Sequence, residues 1–277
     1  MKPEETVEVD GLHVTLSGPA DGPPILFLHA VGTDHRVWDG VKPTLPAGMR
    51  TVAMDLRGHG QSTPLMPDRS MADLVADAAR VLHALRIEQA MVVGVSLGGM
   101  IAQGLAAERP ELVRALVLIA TGAKIGTPQM WQERVEAIRA GGLDAQADTI
   151  LARWFSTPFR QAEPEIVASW RERFVSVDQA SYCQACLAIG ETDLFDSTAR
   201  LRIPTLGISG TADPSTPPDL VRETVDLIPG SQFALIRGCG HLPPIECPEV
   251  VATAISEFIA DTGHLLPPGP TPPPRLV

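Results

Sequence analysis

The chain has 277 residues, 44% hydrophobic and 20% charged, enough to bury one large core without disulfides or a structural metal. Its 22 Lys+Arg against 33 Asp+Glu leave a net charge of −11, which repels phosphate backbones and argues against nucleic acid as a partner. Aromatic residues make up 4%, with a single tyrosine, so base-stacking platforms are excluded as well.

The N-terminal MKPEETVEVDG is acidic and lacks an apolar h-region, so no signal peptide is expected. The apolar run over 25–31 is too short to cross a bilayer. Without export signals, Cys183, Cys186, Cys239 and Cys247 are expected to be reduced thiols. These features predict a soluble, cytoplasmic protein with no membrane partner. Nothing in the sequence speaks to oligomeric state.

In chain order, alternation around Asp10-Gly11 predicts an opening hairpin (Val7, Val9, then Leu12, Val14, Leu16). PILFLHA (24–30), TVAMDL (51–56), AMVVGV (90–95) and ALVLIA (115–120) are continuous apolar runs, the pattern of strands buried on both faces of a parallel sheet. Between them, 73–85 and 98–108 carry helical spacing, which predicts βαβ units. From 122 to 200 the strand runs stop. WQERVEAIRAGG, AQADTILARWF and EIVASWRERFV read as helices, and three of the four tryptophans (Trp131, Trp154, Trp170) lie in this stretch. TLGISG (205–210) and FALIRG (233–238) then resume the strands, with helices over 220–227 and 250–260. The expected fold is α/β: a core of residues 1–121 and 201–262 built on a mostly parallel sheet, with 122–200 as a helical cap over the strand ends. The proline-rich end, 263–277, is expected to be an extended, mobile tail.

Gly94-Val95-Ser96-Leu97-Gly98 is a G-x-S-x-G between a strand and a helix, the context that turns a serine into an exposed nucleophile. A serine hydroxyl needs a base, and the base needs an orienting acid. His241, after the strand FALIRG, and Asp213, after TLGIS, sit at the strand ends that Ser96 shares and follow the chain order Ser, Asp, His. Asp193 and Asp196 are the rival acids. The loop His29-Ala30-Val31-Gly32 supplies the second oxyanion donor, so the backbone N–H groups of Val31 and Leu97 are the expected pair. His29 is expected to support loop packing. Asp55 and Arg57 are expected to pair and brace the turn after their strand. Cys183-x-x-Cys186 has no second ligand pair at zinc spacing, and no phosphate-binding glycine loop occurs, so no metal or cofactor is expected.

LHAVGTDHRVW, MDLRGHGQS, GVSLGGMIAQ, GTADPSTP and GCGHLPPIECP together resemble the α/β-hydrolase superfamily over roughly residues 5–260. VGTDHRVWD, VSLGGMIAQ, ATGAKIGTPQMWQERVEAIRAGG and RWFSTPFR are most similar to the 3-oxoadipate enol-lactonases. The resemblance implies cofactor-free hydrolysis of a small carboxylated enol-lactone to 3-oxoadipate in aromatic-compound breakdown. Other readings on the same triad are a carboxylesterase, a carbon–carbon bond hydrolase or a perhydrolase. A ligand receptor without catalysis is the reading from a different class. A carboxylated substrate under an apolar cap needs a cation. Lys124, Arg134 and Arg153 are the candidates, with Trp131 and Trp154 as apolar walls; Trp131 and Arg134 share a helix face.

Overall fold

The computed structural model describes residues 4–264; most of the proline-rich segment lies outside the described residues. The elements run β1 (Glu5–Val9), β2 (Leu12–Ser17), β3 (Pro24–Leu28), β4 (Arg50–Met54), α1 (Met71–Ala84), β5 (Ala90–Val95), α2 (Leu97–Glu108) and β6 (Val113–Ile119). Five helices follow without a strand: α3 (Pro128–Trp154), α4 (Thr157–Ala162), α5 (Pro164–Val175), α6 (Gln179–Glu191) and α7 (Phe195–Thr198). The chain then returns through β7 (Thr205–Gly210), α8 (Pro218–Asp226), β8 (Gln232–Ile236), α9 (Pro243–Glu246) and α10 (Pro248–Thr262).

One eight-stranded sheet has the order β1-β2-β4-β3-β5-β6-β7-β8. β2 pairs antiparallel with β1 and β4, and every later pairing is parallel. The continuous apolar runs are the interior strands: every residue of β5 and β7 is buried, as a strand covered by helices on both faces requires. β8, at the edge, is the exception, with Leu235 half exposed. α2 packs on β5 and β6, α1 on α2, and α8 on β7.

Local chemistry explains the helix boundaries. Ser70 and Asp73 form a reciprocal capping box at the start of α1, whose buried stripe is Leu74, Val75, Ala78, Val81 and Leu82. Thr127 caps α3 and Pro128 takes its first turn. The two helical patterns read over 131–155 are two helical segments of α3, separated at Gly142, where φ of 80° and ψ of 169° leave the helical region. α3 packs on α5 and α6, so these helices share an apolar seam of their own.

Two sequence expectations need correction. The segment assigned to the tail begins too early: Gly263 takes a left-handed conformation that ends α10, and His264 is buried, its ring Nε2–H donating to the Pro24 carbonyl. Asp55 and Arg57 do not pair. Arg57 reaches Asp77 at 2.7 Å, whereas Asp55 points inward to His35. No described helix is long and apolar enough to cross a membrane. The four cysteines are free thiols.

At Gly98 a side-chain carbon would collide with the carbonyl oxygen of Leu28. Gly98→Ala is therefore expected to lower the unfolding free energy by about 1–3 kcal/mol, as overpacking of a rigid core does. Urea denaturation of the two proteins measures it.

Candidate active site

Ser96 sits between β5 and α2 with φ of 55° and ψ of −115°, a region that non-glycine residues rarely enter. The sequence allows this only because its neighbours are glycines. A Cβ on Gly94 would strike the Gly98 carbonyl, and one on Gly99 would come within 2.6 Å of Thr121. β6 braces the turn: Ser96 N–H donates to the Ile119 carbonyl at 2.9 Å, and Thr121 Oγ1–H donates to the Ser96 carbonyl at 2.7 Å. The expected exposed hydroxyl is instead largely covered, with Ser96 only 5% exposed. The helices between β6 and β7 close over it, and their side chains form one wall of its cavity.

Asp213 and His241 lie beyond the ends of β7 and β8. His241 Nδ1 is 2.9 Å from Asp213 Oδ2, and both side chains are almost wholly buried. Asp213 is itself held in place: Oδ1 accepts the N–H groups of Ser215 and Thr216, and Oδ2 accepts the Thr216 hydroxyl at 2.7 Å. Burial alone would raise this carboxyl's pKa. The attraction of His241 and the hydrogen bonds from His241 and Thr216 outweigh it, so Asp213 titrates below the ordinary value of 3.8. The rival acids are elsewhere: Asp193 ion-pairs with Lys124 on the surface and Asp196 opens α7. That ion pair also removes Lys124 from the cavity.

The loop after β3 faces the same point. Gly98 N–H donates to the His29 carbonyl, tying the start of α2 to this loop. Among the described residues neither the Val31 nor the Leu97 backbone N–H has a hydrogen-bond acceptor, so both donors are unspent. His29 does support packing, its Nε2 accepting the Leu56 N–H at 2.8 Å. Asp55 anchors the far end of the loop by accepting the backbone and ring N–H groups of His35 at 2.7 and 2.8 Å. Burial opposes its charge, but these donors and that of Gln61 hold the carboxyl well below the usual carboxylate range. His35 and this role of Asp55 carry no signal in the one-dimensional pattern, because the contact spans 20 residues.

The cavity at Ser96 is lined by Val31, Ile125, Met130, Trp131, Arg134, Ile150, Arg153, Trp154, Ser215 and His241. The sequence candidates Trp131, Arg134, Arg153 and Trp154 thus meet Ser96 and His241 in one place. Arg134 lies over the Trp131 ring at 4.6 Å, the face-sharing expected from their spacing. Burial and the neighbouring charge of Arg134 lower the pKa of Arg153. Met130 and Ile150 were not singled out in the sequence, although each stands four residues before a residue that was. The cavity holds only ≈ 40 Å³, room for about one water, so a substrate needs the cap side chains to move. A larger surface cleft of ≈ 560 Å³ between α3 and α6 is lined by Gln129, Gln132, Glu133, Glu136 and Glu191 and offers no nucleophile.

One described group brings metal-type ligand atoms together: His13, His35 and Asp55. There the Asp55 oxygens already accept N–H donors from His35 and Gln61, so their lone pairs are engaged in bracing the loop. Cys183 and Cys186 lie in α6, where burial pushes both thiols up.

The profile of the alpha/beta hydrolase fold matches residues 23–161. The chain belongs to the α/β-hydrolase family. It is 32% identical to 3-oxoadipate enol-lactonase 1 of Acinetobacter baylyi over 248 residues, covering 90% of this chain and 92% of that protein. The crystal structure of the enol-lactonase from Burkholderia xenovorans LB400 superposes with a TM-score of 0.88 at 30% identity, covering 92% of this chain and 100% of that one. A thermophilic esterase from Thermogutta terrifontis, solved with malate bound, gives a TM-score of 0.85 at 26% identity over 94% and 98% of the two chains.

The Asp213 carboxylate has a lowered folded pKa, so its stabilising contribution is complete above 3.8 and is lost as pH falls below that value. Asp213→Asn is expected to flatten the fall of melting temperature below pH about 4. Thermal scans of both proteins from acid to neutral pH check the slope.

Proposed function

We propose that this protein is a cofactor-independent serine hydrolase of a small carboxylated lactone, with 3-oxoadipate enol-lactone as the leading substrate and 3-oxoadipate as product. The observation that carries the reading is the pair Arg134 and Arg153. Both are half-buried, both face the cavity of Ser96, and neither ion-pairs with a carboxylate among the described residues. In a chain with net charge −11, carboxylates are abundant, and two adjacent cations left without one are suited to an anion that arrives with the substrate. The named enol-lactonase relatives, and the malate held by a related esterase, support an acidic substrate.

The chemistry follows from the arrangement. Ser96 Oγ attacks the lactone carbonyl as His241 Nε2 takes its proton. Asp213 holds the imidazole Nδ1–H and stabilises the imidazolium. The negative oxygen of the tetrahedral intermediate accepts the N–H groups of Val31 and Leu97, each worth roughly 3 kcal/mol in a dry site. Collapse breaks the ring C–O bond, and His241 returns the proton to the enol oxygen. Water, deprotonated by the same imidazole, then releases the acid from Ser96. The lactone's own carboxylate rests on Arg134 and Arg153, which offsets several kcal/mol of desolvation. We place the reaction in the cytoplasm, where four free thiols stay reduced.

A lactone and ester panel at neutral pH, without added metal, tests the reading. Ser96→Ala and His241→Ala are each expected to lower kcat by about 10⁴ or more, because triad members act as a unit. Retention of more than about a hundredth of the wild-type rate by either variant overturns the assignment. Treatment with EDTA is expected to leave the rate unchanged.

Arg134→Ala or Arg153→Ala is expected to raise KM for the carboxylated lactone about thirtyfold, the loss of roughly 2 kcal/mol from a charged hydrogen bond. A neutral ester of similar size should be almost unaffected. Equal losses on both substrates would leave a general carboxylesterase.

A further inference from the structure

The end of α3 and the loop that carries His241 are joined by hydrogen bonds that the triad itself does not use. Glu246, the last residue of α9, receives three donors. Its Oε1 accepts the backbone N–H groups of Ser156 at 2.9 Å and Gly240 at 3.1 Å, and its Oε2 accepts the Ser156 hydroxyl at 2.7 Å. In the opposite direction, the Trp154 carbonyl accepts the N–H groups of His241 at 2.9 Å and Leu242 at 3.2 Å. The two segments touch so closely that a Cβ on Gly240 would lie 2.7 Å from Ser156 N and 2.9 Å from the Trp154 carbonyl.

The placement of these bonds matters more than their number. Ser156 and Trp154 are 90 and 87 residues from Glu246 and His241 respectively, so no local turn requires the contact. Trp154 is a wall of the substrate cavity and its carbonyl fixes the backbone of His241, so one residue reports on both substrate and base. Ser156 Oγ also accepts the Phe159 N–H, tying the junction to the first turn of α4. No lysine or arginine pairs with Glu246 among the described residues. Its charge rests on N–H and O–H donors alone, which makes the three bonds charge-assisted and costly to break one at a time.

We propose that Glu246 is a positioning residue for His241: it clamps the cap segment 154–156 to the loop 240–242, so that the Trp154 wall and the imidazole move as one body. The cavity is too small for a lactone with the cap as it stands, so the cap must yield to substrate. With the clamp intact, that movement and its reversal are transmitted to the base, and the imidazole returns to Ser96 when the cap closes. Without it, the cap recloses on an imidazole displaced by a fraction of an ångström. The catalytic part of this proposal rests on the hydrolase reading above.

The test compares wild type, Glu246→Ala, Glu246→Gln and Ser156→Ala in three measurements: kcat and KM on the best substrate of the panel, the rate at which an organophosphate labels Ser96, and the downfield NMR signal of the His241 Nδ1 proton. Glu246→Ala is expected to lower kcat and labelling about tenfold or more while KM stays within about twofold, because displacement at a reacting group costs rate before binding. Its Nδ1 proton should broaden or vanish. Glu246→Gln, which keeps an acceptor for both N–H groups and can donate to Ser156 Oγ, should recover most of the rate and the signal; Ser156→Ala should fall between. A Glu246→Ala protein that only melts earlier, with kcat and the Nδ1 signal retained, overturns the proposal, as does a Gln variant no better than Ala. If wild type neither turns over esters nor is labelled, the hydrolase reading fails by itself, and the Nδ1 signal still decides whether Glu246 positions His241.

Discussion

The arrangement around Ser96 depends on a steric constraint: the backbone of the β5–α2 turn is pressed against the carbonyl of Leu28 with no room for a side-chain carbon at Gly98. This contact holds Ser96 at positive φ, which costs on the order of 1–3 kcal/mol locally and persists only because β3, β5 and β6 over-determine the turn. The Gly98 N–H also reaches the His29 carbonyl and so fixes the loop of Val31 against the first turn of α2. The Ser96 turn and the Val31 loop are thus set by one close packing of strands and a helix.

Around that point the polar groups are satisfied in layers. Asp213 is oriented by Ser215 and Thr216 before it meets His241, and Asp55 holds the outer end of the loop after β3 through His35. Buried carboxylates are expensive unless fully bonded, so each is supplied with several donors. The contrast is the pair Arg134 and Arg153, which line the cavity at Ser96 and make no ion pair among the described residues. Their incompleteness is informative for the same reason that the completeness of Asp213 is.

The cap contributes chemistry as well as cover. α3 brings Trp131 and Arg134 from its first half and Arg153 and Trp154 from its second, with the Gly142 kink between them. The break at Gly142 lets the two helical segments reach the same cavity. The Trp154 carbonyl then links the second of these segments to the loop of His241.

The sequence by itself determined the succession of strands along the chain, the turn at Ser96 and the placement of Asp213 and His241 beyond strand ends, because these rest on local patterns: apolar runs, glycines at fixed offsets and residues following strand ends. It also placed Trp131 and Arg134 on one face, since three-residue spacing is a property of the helix alone. It misread Asp55 with Arg57, whose proximity in the chain says nothing about direction once each side chain leaves the turn, and it overlooked His35 and Glu246. It expected an exposed nucleophile, since nothing local shows how far the cap closes. Those features are contacts between segments 20 to 90 residues apart, or the outcome of packing one helical layer on another. Only the tertiary structure decides them, because a donor far along the chain finds its acceptor through the shape of the whole core.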